Sequence, residues 1–312
     1  MGIRHLLLAT LLLPALAWAD PGSRLWATGG VTSIEGSAGG GIGTWALLSG
    51  YASDEEWSGS AALTRAEFDD YSLSVKAASL NWQNRLELSV AHQTFGLDTL
   101  QSTFDRDALE QAVYGAKLRL FGDVLYDPMG QWSLGVQHKR NQTFTIPRQL
   151  KAQDDSGTDV YLAVSKLFFS AFLGRNLLLN GTLRGTKANQ AGLLGFGGDD
   201  NNSYQPMIEG QYRGFATRQW LVGAEYRQKP DNLAAVAEDD WWDLYIAWFP
   251  DRRVSVTAAW AELGMSADWR TSLGPTSQSR RISDTGDHFN ETRASYFSGG
   301  LAAACRLPER TQ

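Results

Sequence analysis

The feature that most constrains this chain is a period of two. Most of its length past residue 20 breaks into runs of roughly nine to thirteen residues, many alternating apolar and polar side chains, separated by turn residues. In 85–95, Leu86, Leu88 and Val90 share one face, and Glu87, Ser89, Ala91 and Gln93 the other. In 110–121, Tyr114, Ala116 and Leu118 oppose Gly115, Lys117 and Arg119. The runs 131–141, 220–229 and 254–263 repeat the pattern. Weaker segments are 24–33, 43–52, 57–68, 71–82, 159–169, 176–187, 203–216, 240–249 and 295–307. Together they predict about fourteen strands. The stretch 159–169 and the run Leu177-Leu178-Leu179 do not alternate cleanly, so twelve is the other count. No long helix is expected; 104–114 has room for a short helical turn in a loop.

The links between segments are sorted by length. Short ones (53–56, 83–84, 122–130, 170–175, 217–219, 250–253) alternate with longer ones (34–42, 96–109, 142–158, 188–202, 230–239, 264–294), apart from a tight link near Asp69-Asp70. Membrane barrels have short turns at one end and long loops at the other, whereas a soluble sandwich has no reason to sort its loops this way. Trp45, Trp57, Trp82, Trp132, Trp220, Trp241, Trp242 and Trp248 fall near segment ends, where interfacial girdles form. A mean hydropathy of −0.28 excludes a polytopic helical membrane protein. A net charge of −6 argues against nucleic acid as a partner. The lone Cys305 excludes an internal disulfide framework. Residues 1–19 read as a secretory signal, with Arg4 and His5 before an apolar run and Ala17-Trp18-Ala19 before the cut. The expected product is all-β: a single antiparallel up-and-down transmembrane β-barrel over 20–312, in the outer membrane and in contact with its lipid.

Several stretches resemble an uncharacterised family (domain of unknown function) of Gram-negative outer-envelope proteins. The main one is Lys187-Ala188-Asn189-Gln190-Ala191-Gly192-Leu193-Leu194-Gly195-Phe196-Gly197-Gly198-Asp199. Others are Ala27-Thr28-Gly29-Gly30-Val31 with Glu35-Gly36, the run Asp154-Asp155-Ser156-Gly157-Thr158-Asp159, and Val222-Gly223-Ala224-Glu225-Tyr226-Arg227. The resemblance covers most of 24–263 and implies a secreted outer-membrane β-protein with no assigned activity. It supplies no catalytic residues. Beyond about residue 264 the pattern departs, and the tail after Cys305 lacks the terminal aromatic usual in assembled barrels.

The polar parity of the strands would face the lumen, because Lys and Arg are costly against lipid. That set is Glu87, Lys117, Arg119, Lys139, Arg184, Glu209, Arg213, Glu225, Arg227 and Asp243. Such charges either pair and plug the barrel or line an aqueous path with slight anion preference. The apolar loop residues Leu193, Leu194 and Phe196 are expected to fold inward or against the rim and narrow the opening. His92, His138 and the acidic pairs Asp154/Asp155, Asp199/Asp200 and Asp239/Asp240 are weak candidates for a surface hydrolase or a calcium site. They are read as interfacial or solvated groups. The chain is therefore read as a passive channel or solute-uptake protein for small solutes. The alternative is a structural, adhesive or lipid-binding envelope protein. No enzyme activity, cofactor or metal is expected.

Overall fold

A computed structural model of the protein describes residues 24–25, 28–29, 31–68, 71–97, 108–217, 219–267 and 293–306. The signal segment 1–19, His288 and the tail 307–312 lie outside them. Twelve antiparallel strands close into a barrel: β3 (Glu56–Phe68), β4 (Ser72–Trp82), β5 (Leu86–Gly96), β6 (Ala108–Phe121), β7 (Gln131–Asn141), β8 (Ser156–Phe172), β9 (Arg175–Thr186), β10 (Gln205–Phe215), β11 (Trp220–Arg227), β12 (Val236–Trp248), β13 (Val254–Ala267) and β14 (Arg293–Arg306). Each pairs with the next, and β14 closes on β3 from Ala294↔Phe68 to Arg306↔Glu56. Closure leaves no sheet edge with unpaired backbone groups. The tail strand about which the sequence was least informative is thus the one that seals the ring.

Alternation decides which side of the wall each residue faces. Leu63, Leu88, Val136, Leu183, Ile208 and Leu244 are exposed on the outer wall, Leu63 to 66%, the apolar band of a membrane barrel. At the short-turn end, Trp57 faces Trp82 across the strand pair. Trp220 stacks on Trp248 at 5.8 Å and Phe121 on Trp132 at 5.9 Å, which continues the girdle.

Among the described residues the barrel has twelve strands, the lower of the two expected counts. No described residue of 24–33 or 43–52 belongs to a barrel strand, and 34–42 is not an outside loop. Residues 31–52 enter the barrel as an inner segment whose only regular structure is a two-residue ribbon, β1 (Val31–Thr32) with β2 (Ala38–Gly39). Val31, Ile34 and Ile42 pack there against Val75, Val113 and Tyr245 of the wall. The girdle reading also fails for Trp45 and Trp241, both buried inside the barrel. Ala108–Glu110 belong to β6 rather than to a helical turn. Residues 104–107 lie outside the described residues. A short helix, α1 (Thr145–Gln149), stands in the loop after β7.

Candidate functional site

An irregular segment inside a barrel cannot satisfy its own backbone, and buried N–H and C=O groups left without partners are costly. Here the inward side chains of the wall supply those partners. Glu87 accepts from the N–H groups of Ala38 (3.1 Å) and Ser49 (2.7 Å). Glu225 accepts from Ile42 (2.7 Å) and Gly43 (3.2 Å), and Glu209 from Thr44 (2.8 Å). Donors serve the carbonyls: Lys117 to Leu47 (2.9 Å), Arg227 to Ile42 (2.9 Å), Gln131 to Ala46 (2.8 Å), Gln93 to Ile34 (2.7 Å) and Asn180 to Thr44 (3.1 Å). Glycine makes this approach possible. A Cβ at Gly40 would overlap the Glu225 carboxylate, and one at Gly43 the Gln211 amide.

Glu35 is the only charged residue between 31 and 53, and it is fully buried. Lys139 lies 2.5 Å and Arg227 2.8 Å from its Oε1, and Arg184 3.3 Å from its Oε2. Two wall acids share these cations. Asp159 lies 2.7 Å from Lys139 and 3.2 Å from Arg184, and Glu209 lies 2.7 Å from Arg184. The five wall residues stand on consecutive strands β7 to β11 and alternate base, acid, base, acid, base. The wall alone carries one excess positive charge at this level, and Glu35 neutralises it.

Burial alone would raise the Glu35 carboxyl; the charges of Arg227, Lys139 and Arg184, with the Arg227 hydrogen bond, outweigh it and hold the group well below the ordinary 4.5. A depressed pKa stabilises the seated segment above the unfolded value, and that contribution is lost as pH falls through the folded one. The Glu35 contribution to the protection of a cysteine introduced at Ser37, which is buried beside it, is therefore expected to persist from neutral pH to about 4.5. It should fall only in stronger acid, as thiol labelling after acid pulses would report.

The inward set is distributed as follows. Glu87, Lys117, Lys139, Arg184, Glu209, Arg213, Glu225, Arg227 and Asp243 all lie inside and buried, facing the inner segment or one another. Lys117 pairs with Glu87 at 3.2 Å, and the Arg213 guanidinium lies 4.0 Å from the Trp45 ring centroid. Arg119 is the exception. It sits at the short-turn rim, partly exposed, bonded to the Gly122 carbonyl and within 3.5 Å of Asp54. Leu193, Leu194 and Phe196 are buried at the loop end. Asn141 donates to the Leu193 carbonyl (2.6 Å) and Gln111 to the Ala191 carbonyl (3.1 Å), which draws this loop across the barrel mouth. His138 is exposed on the outer wall, its Nδ1 3.0 Å from the Thr158 hydroxyl; His92 stands opposite Lys76 in the β4–β5 register.

Sequence reasoning did not single out Glu35 or Asp159 as site residues. Both sit in stretches that carry the family resemblance. The signal that could have found Glu35 is a lone charge in a glycine-rich stretch that does not alternate.

A family model described as "Protein of unknown function (DUF3034)" matches residues 28–275. No curated protein matches the chain. Among solved structures, the KdgM porin aligns at 8% identity over 78% of this chain and 98% of its own, with a TM-score of 0.45. The NanC porin aligns at 10% identity over 78% and 98%, also at 0.45. The outer membrane protein Omp33 of Acinetobacter baumannii aligns at 10% over 81% and 100%, at 0.41. The barrel assignment rests on the strand register itself.

Proposed function

We propose, for a chain that belongs to the family described as "Protein of unknown function (DUF3034)", the role of an outer-membrane channel for small solutes that its own inner segment holds shut. The observation that carries this reading is the composition of the wall. Charged side chains, Asp159 among them besides the nine named above, face inward together with Gln, Asn, Ser and Thr, a lining suited to water and polar solutes. A twelve-stranded barrel is wider than one its side chains fill unaided, since about eight strands already give a filled interior. What occupies the space here is the inner segment, joined to the wall through β3. The mechanism is diffusion once the segment leaves, with the lumen charges and the 189–197 loop setting what passes. The surrounding lipid is a partner of the outer band, and the reading calls for no cofactor.

A permanently closed barrel serving structure or adhesion is the second reading, favoured by the many hydrogen bonds through which wall side chains hold the inner segment. Planar-bilayer recording separates the two. The intact protein is expected to conduct little. Removal of residues 31–52, with heat-modifiable migration retained as proof of a folded barrel, should raise unit conductance by at least roughly tenfold on the width argument. A folded deletion variant that remains non-conducting would favour the structural role.

A further inference from the structure

We propose that the wall residues Lys139, Arg184 and Arg227 form a binding site for the carboxylate group of a solute, a site that Glu35 occupies as an internal stand-in. The proposal rests on the channel reading and deepens it by naming the solute chemistry. The clamp is built on the barrel: its three cations come from β7, β9 and β11, and all three are buried. The carboxylate they hold comes from the inner segment and is that segment's only charge from 31 to 53.

Charge balance sets the ligand class. Asp159 and Glu209 neutralise two of the three cations through contacts of 2.7 to 3.2 Å. With Glu35 withdrawn, a buried site with one excess positive charge is left, and such a site is costly until an anion fills it. Two guanidinium groups flank it, which suits a planar carboxylate. Seated and solute-bound states therefore compete for one place. A carboxylate solute entering the lumen replaces Glu35 rather than adding to it, and binding weakens the hold on the inner segment.

Chemical rescue in the full chain tests this. Propionate supplies the carboxylate and adjoining methylene that alanine lacks. In Glu35→Ala, labelling of a Ser37→Cys thiol (with Cys305→Ala) is expected to rise at least roughly tenfold, since an uncompensated buried charge is left. Propionate in the tens of millimolar should return the rate to that of the parent, whereas propionamide and chloride at equal ionic strength should not. In Glu35→Gln, the carboxamide fills the seat and propionate should have no effect. Should Glu35→Ala not fold in chloride, the yield of heat-modifiable protein refolded in propionate against chloride is the readout. Equal action of propionate and chloride, or of propionate and propionamide, would overturn the proposal. Because these readouts need no current, they can fail while the channel reading stands, or succeed in a barrel that never conducts.

Discussion

Replacing Arg184 by methionine is expected to cost the folded protein about 3–5 kcal/mol, the penalty of breaking a buried ion pair by removing one partner. Arg184 is the hub of the interior. Its Nε lies 2.7 Å from Glu209, its Nη1 3.2 Å from Asp159 and its Nη2 3.3 Å from Glu35. It also donates to Gln137 (2.5 Å) and to the Thr44 hydroxyl (2.8 Å), and lies 4.9 Å from the centroid of the Tyr161 ring. Methionine keeps much of the volume but leaves three buried carboxylates facing two cations. Urea unfolding in detergent should show the midpoint shift, and the Ser37→Cys thiol should become accessible well before the barrel unfolds. Arg184→Lys should recover only part of the loss, because an ammonium cannot serve three carboxylates through a planar fork. A shift for Arg184→Met under about 1 kcal/mol would mean that the pairs are solvated and screened, as at a surface.

The strand wall was legible in the sequence because a barrel strand meets two different solvents. Lipid on one side and a polar interior on the other impose alternation on each residue, so Leu86, Leu88 and Val90 declare one face and Glu87 and Ser89 the other. Loop lengths then gave the polarity of the barrel, and the structure keeps it: two residues join β8 to β9, against eighteen between β9 and β10. The inner segment was illegible for the opposite reason. Its residues meet wall side chains on every side, so no period is imposed, and 24–33 and 43–52 read only as weak strand segments. Asp159 was missed because it stands beside the loop motif Asp154-Asp155, where a carboxylate reads as solvated. Trp45 looked like a girdle residue because its neighbours resemble a strand end; its ring lies under Arg213 instead.

Gly40→Val is the substitution expected to unseat the inner segment with least change to the barrel. A side chain at Gly40 would occupy the space of the Glu225 carboxylate, whose Oε2 accepts from the N–H groups of both Ile42 and Gly43. Either Glu225 swings away and leaves two buried donors without partners, at about 1–3 kcal/mol each, or the segment lifts off the wall. Both outcomes weaken the seat, while no barrel strand loses a hydrogen bond. Labelling of the Ser37→Cys thiol should accelerate by at least roughly tenfold, the equivalent of about 1.4 kcal/mol, and bilayer conductance should rise with it. Gly210→Ala is the matched control: it lies on β10 with nothing within 4 Å of the added carbon, and should leave both readouts unchanged. If Gly40→Val labels as slowly as the parent, residues 38–43 do not rest against Glu225, and the force that closes the lumen must come from the 189–197 loop instead.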